Sequence, residues 1–328
     1  MKKLLLAAIA AGALAITAST AVARGPVATS ALRDCDFSAL FDPISVVTGG
    51  HSSVARGPFK EPVLRAGPSN SDTPHGNNQT PSPTFQATIP VYVHVITGTG
   101  GVGNVTDAQI TQQIAELNRG FAGFYDVVND AAADPGRTVT GFTFTHAGTT
   151  RTQNNAWWLA APGTPEEFAM KGALRQGDGT ALNLYLTSGA GDLFLGWAYF
   201  PKILVYKKAA VLDGVVVHYG SVPGGFIPNF NPGFPAVHEA GHWLGLYHTF
   251  DPEPFGCRGD GDRIDDTPAM QIPTSGCPTG KDTCPEPGVD PVHNFMDYSV
   301  DPCYTEFSTG QAARMQAQFS HWRLKKGT

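Results

Sequence analysis

Residues 87–96 alternate β-branched and aromatic side chains with others at a two-residue period, which predicts the first strand of a sheet. Thr106-Asp107-Ala108-Gln109 then reads as a helix start. Ile110, Ile114, Leu117 and Phe121 follow at helical spacing, so an amphipathic helix is expected to pack on that sheet. Short apolar runs bounded by Gly or Pro at 139–145, 181–186, 196–200 and 215–218 predict further strands, the 196–200 run as an accessible edge. Residues 251–290 have almost no period and many Pro, Gly and Asp, so something other than secondary structure must hold them. The chain finishes with Ser308-Thr309-Gly310-Gln311, a capping-box arrangement. Ala312, Met315, Phe319 and Trp322 then form one helical stripe suited to core packing. The pattern describes an α/β (α+β) protein: a twisted mixed sheet, few helices and a loop-rich C-terminal part.

The N-terminus reads differently. Met1-Lys2-Lys3 precedes an apolar run at 4–16 and the small residues Ala21-Val22-Ala23, the three-part pattern of a secretory signal cleaved after Ala23. A retained anchor is the competing reading, but the run is short for a bilayer. Residues 24–83 are rich in Pro, Gly, Ser and Asn and cannot bury enough to order themselves. This divides the chain into a signal at 1–23, a pro-segment and linker at 24–85, and a catalytic domain at 86–328. The formal charge of −6 becomes more acidic once Lys2 and Lys3 are removed. No basic cluster offsets it, which argues against nucleic acid or an anionic membrane as partner. A secreted, monomeric protein is expected. Four of the five cysteines, Cys257, Cys277, Cys284 and Cys303, lie close together, and in an exported chain they read as two disulfides with three possible connectivities. Cys35 is left over.

The segment 238–248 carries the chemistry. His238 and His242, four apart on a helix, lie one turn apart on one face and can present nitrogen to one metal ion. Glu239 then sits beside the ion without being a ligand, where a general base takes a proton from water. His248 would point away if the helix continued. Gly245 resolves this, because glycine adopts the left-handed conformation that ends a helix and turns the chain back. Three neutral histidines leave a fourth position open on zinc, as catalysis requires.

Downstream, His293-Asn294-Phe295-Met296-Asp297-Tyr298-Ser299 stands where metzincin peptidases carry their methionine turn, and the chain resembles that superfamily. The resemblance is closest to the pappalysin family, in particular its short secreted microbial and fungal members, from Ile89 to the C-terminus. It is strongest over 238–250, 261–268 and 290–307. It implies Met296 as an apolar floor under the zinc and Tyr298 as a hydrogen-bond donor to the oxyanion. It implies disulfides Cys257–Cys284 and Cys277–Cys303. It also implies calcium near Asp262, Asp265, Asp266 and Thr267; the competing reading is a solvated acidic loop with Asp as turn residues. Some microbial members cut before basic residues with an acidic side chain at the pocket floor. Asp301 matches that stretch and implies Arg or Lys at the first primed position, unless it merely precedes Pro302 in a turn. Latent metzincins often park a pro-segment cysteine on the zinc, a role open to Cys35 in Arg33-Asp34-Cys35-Asp36. Arg56 and Arg65 are sites where such a segment would be cut if self-cleavage occurs at basic residues.

The expected activity is endopeptidase action on protein or peptide substrates. Two readings compete: a binding or adhesion module that keeps the zinc fold without turnover, and a zinc hydrolase of small amides or esters. Glu239 argues against the first. The edge strand argues against the second, because extended peptides bind by adding a strand to such an edge.

Overall fold

The computed structural model describes residues 80–123, 137–250, 257 and 261–324. The signal, most of the pro-segment, Cys35, Arg56 and Arg65 lie outside the described residues. Five strands form one sheet in the order β2-β1-β3-β5-β4: β1 Ala87–Thr97, β2 Phe142–Gln153, β3 Leu182–Thr187, β4 Gly196–Ala198 and β5 Val215–His218. β1 pairs parallel with both β2 and β3, and β3 parallel with β5. Parallel neighbours need crossovers, and helices supply the first two: α1 Asp107–Ala122 between β1 and β2, and α2 Pro165–Leu174 between β2 and β3. β4 alone runs antiparallel, against β5, and forms the sheet edge. The expected strands at 87–96, 181–186 and 215–218 agree within a residue. The 139–145 strand starts later and runs on to Gln153, and the 196–200 strand ends at Ala198.

Alternation along the strands divides the core. Val91, Val93 and Val95 of β1, Leu184 and Leu186 of β3, and Val215 and Val217 of β5 face α1 through Ile110, Ile114, Leu117 and Phe121. The same layer receives α3 Phe234–Trp243 and α4 Thr309–Gln318. On the opposite face Ile96, Tyr185, Val216 and Trp197 pack with Met170 of α2. α1 starts at the capping box of Thr106 and Gln109, and α4 at that of Ser308 and Gln311. Among the described residues no helix is long and apolar enough to cross a membrane.

Helix α2 is unusual because its buried face carries charge. Glu167 and Lys171 are both fully buried and pair at 2.8 Å. Glu167 also accepts from Trp197 Nε1 and the Tyr199 hydroxyl, each at 2.7 Å, and from Gly163 N at 2.6 Å. Its carboxylate is thus fully engaged, as a buried charge requires. Trp197 and Tyr199 alternate along β4 and its continuation, so α2 grips the sheet edge from behind. Gly196 and Ala198 face the other way, toward α3.

The irregular 257–303 region is cross-linked by Cys257–Cys284 and Cys277–Cys303, the interlocked pairing that the resemblance implies. Closing these loops restricts the unfolded chain in a stretch whose described residues form no α-helix or named strand.

Candidate active site

Helix α3 has charged groups against both ends. At its start, Gly233 (φ 106°) lacks a capping side chain of its own. The carboxylate of Asp301 takes that place, with Oδ2 accepting from Gly233 N at 3.2 Å and Phe234 N at 3.1 Å. A buried anion there also complements the helix dipole. At its end, Gly245 (φ 100°) donates to the His242 carbonyl and Leu246 to that of Gly241, the paired bonds of a Schellman motif. Arg323, stacked 3.4 Å from the centroid of the Trp243 ring, donates to the Trp243 carbonyl and pairs with Asp213. Arg314 of α4 donates to the Gly245 carbonyl.

The Schellman turn reverses the chain and brings His248 to the other two histidines. His242 Nε2 lies 3.0 Å from both His238 Nε2 and His248 Nε2. All three residues are buried, and their nitrogens converge closely enough to hold one ion. The two helical rings have their rotations set from behind. His238 Nδ1 meets the Phe295 carbonyl at 2.6 Å, and His242 Nδ1 meets the Leu246 carbonyl at 2.8 Å. A carbonyl only accepts, so each Nδ1 carries the proton and each Nε2 presents a lone pair. Burial, reinforced by His248, pushes His238 down to about 3 and His242 well below its ordinary value. Neutral, inward-facing imidazoles are the donor set zinc takes.

Glu239, buried beside the triad, lies against β4. A Cβ at Gly196 would come within 2.9 Å of its Cγ and 2.6 Å of the Val216 carbonyl, so only glycine fits there. Met296 approaches from below, where a Cβ on Gly241 would meet its Sδ at 2.5 Å. The turn carrying Met296 is held by Asn294, which accepts from Met296 N and exchanges hydrogen bonds with Gln311 of α4. Half-buried Tyr298 stands edge-on to His248, ring centroids 4.9 Å apart.

The four residues of the expected calcium group are placed apart in role. Asp262 accepts from the Thr267 hydroxyl and Ile264 N. Both oxygens of Asp266 serve the N-terminus of α4, through Ser308 and Gly310 N. Asp265 is exposed. The groups of three or more acidic, histidine or cysteine side chains close enough to share an ion do not include these aspartates among the described residues. Asp301 is fully buried at the start of α3. The sequence reading missed the capping role of Asp301, the Arg323 and Arg314 contacts, and Phe250, which packs on His248. These are tertiary contacts with no periodic or motif signal.

Comparison with known proteins gives the family. The family described as pregnancy-associated plasma protein-A, peptidase M43, matches residues 229–320. An extracellular metalloprotease of Pyricularia oryzae is 45% identical over 242 residues, covering 73% of this chain and 77% of that protein. One from Arthroderma benhamiae is 37% identical over 289 residues, covering 88% and 90%. Among solved structures, mature mirolysin of Tannerella forsythia in complex with a cleaved peptide superposes with a TM-score of 0.60 at 28% identity. It covers 75% of this chain and 100% of that one. A promirolysin mutant of the same organism gives 0.62 at 29% identity, covering 76% and 84%. The chain belongs to the pappalysin family of metzincin zinc metalloendopeptidases.

Proposed function

We propose that this protein is a secreted endopeptidase that binds zinc through His238, His242 and His248 and uses Glu239 as its general base. The convergence of three buried imidazoles with a carboxylate beside them is the observation that carries the reading. Zinc bound there supplies a Lewis acid that makes water nucleophilic near neutral pH. Glu239 is placed where it would take a proton from the attacking water and return it to the leaving amine. Tyr298, beside the triad, donates to the developing oxyanion. Met296 keeps the floor apolar. The outer edge of β4 receives an extended peptide as an added strand, with α2 holding that edge in place. The extracellular relatives and the export signal support secretion. A pro-segment at 24–85 with Cys35 as latency switch is part of the proposal, and the promirolysin neighbour supports a zymogen. Calcium at the 262–267 turn is proposed from the family resemblance together with its oxygen donors.

Peptide-library cleavage by the processed protein, with and without a zinc chelator, tests the reading. Cleavage abolished by the chelator and restored by added zinc is expected. Chelator-resistant cleavage, or none from zinc-loaded protein, would overturn it.

The finer proposal is a preference for Arg or Lys at the first primed position, with Asp301 as the charge partner. A basic side chain would share that carboxylate with the amides of Gly233 and Phe234. Asp301→Asn separates the roles, since an amide oxygen still caps the helix while the charge is gone. We expect kcat/KM for basic residues to fall by about tenfold or more relative to neutral ones, since charge-assisted bonds contribute about 1.5–3 kcal/mol. An unmoved preference would rule out Asp301 as the specificity residue.

A further inference from the structure

His248 differs from the other two histidines of the triad. It lies beyond the helix, on irregular backbone after the Schellman turn, so no helical geometry aims its ring. Two residues on, Phe250 is buried to 1% exposure and lies flat on the His248 ring. The centroids are 4.7 Å apart and the planes differ by 7°. Tyr298 stands edge-on to both, at 75° to His248 and 68° to Phe250, with its centroid 4.7 Å from that of Phe250. Thr249, between them, donates its backbone N–H to the Met296 carbonyl. Chain position and ring stacking are therefore fixed together.

We propose that Phe250 is a positioning residue for the metal centre, holding the third imidazole in its ligating orientation by ring stacking. A ligand ring must keep its in-plane lone pair aimed at the ion. Rotation about the Cβ–Cγ bond swings that lone pair away. For His238 and His242 a carbonyl behind Nδ1 opposes the rotation. At His248 the flat face of Phe250 opposes it by excluded volume, because a turning imidazole would drive its edge into a close-packed ring. Tyr298 closes the corner, so the same phenylalanine supports a ligand and the tyrosine proposed to meet the oxyanion.

The proposal rests on the zinc reading, and the test separates the two. Zinc dissociation constants would be measured by chelator competition for the full-length protein, Phe250→Leu, Phe250→Met and Phe144→Leu. Phe250→Met keeps most of the volume without a planar face and guards against a leucine variant that does not fold. Phe144 is a buried core phenylalanine on β2, packed against Phe121, and reports the cost of losing an aromatic elsewhere. Loss of a group that orients a metal ligand weakens binding by about 10–100-fold, and that is the range expected for both Phe250 variants. Phe144→Leu should bind within about twofold of the parent, since it lowers stability without touching a ligand. The cobalt-substituted Phe250 variants should also show altered d–d absorption, a readout of ligand geometry that simple loss of stability does not move. Phe250 variants that bind zinc as tightly as the parent, or no worse than Phe144→Leu, would overturn the proposal. A parent protein that binds no zinc would overturn the metal reading itself, and the role of Phe250 with it.

Discussion

Glu239→Gln is expected to lower kcat by about three orders of magnitude, within the 10²–10⁴-fold range that general acid–base groups contribute. Zinc content and melting temperature should stay near those of the parent. The side chain is buried beside three converging imidazoles and lies against the backbone of β4, where the absence of a Cβ at Gly196 leaves room for it. An amide preserves that shape and fills the same slot. What it lacks is a site that accepts a proton. The substitution therefore isolates chemistry from packing, provided turnover and metal content are measured on one preparation. A variant keeping more than a tenth of parental kcat would show that Glu239 does not take the proton.

The second large effect is on stability and lies on the other side of the sheet. Glu167→Ala should cost about 3–5 kcal/mol, the usual result of removing one partner from a buried ion pair. Lys171 would be left fully buried with the Leu212 carbonyl as its remaining hydrogen-bond acceptor, and Trp197, Tyr199 and Gly163 would each lose an acceptor. Desolvation already depresses the Lys171 pKa, with Glu167 and then Asp213 opposing that shift, so losing the Glu167 carboxylate depresses it further. Replacing both residues together, Glu167→Met with Lys171→Met, should cost less than the single change, because no orphan charge remains. Urea unfolding of the three proteins decides it. A single-variant loss below about 1 kcal/mol, the level of an exposed pair, would mean that the network is not what holds the sheet edge.

Glu167 also explains where the sequence was hard to read. Thr164-Pro165-Glu166 is a good helix start, yet α2 was not anticipated, because two of its inward positions are charged and break the apolar period. The β2 strand was cut short for a related reason. Beyond Phe144 its side chains are polar and mostly exposed, so only pairing with β1 carries it to Gln153. By contrast α1 and α4 were legible because capping boxes and apolar stripes are local signals. The His238–His248 segment was legible because zinc ligation constrains spacing along the chain itself. What supports that segment comes from far away in sequence. Asp301 meets α3 across more than sixty residues, and no pattern in the chain distinguishes a distant cap from an acidic residue before a proline.

That distance has a temporal side. Both ends of α3 are secured by residues made after it: Asp301 at one end, Arg314 and Arg323 at the other, with Asn294 and Gln311 bracing the turn beneath. During synthesis the histidines emerge first, before the partners of the Gly233 and Phe234 amides and of the Trp243 and Gly245 carbonyls. The final helix supplies several of these supports, so they are available only once it has been made. A chain cut short before Asp301 would therefore carry all three histidines but none of the side chains that cap their helix from a distance.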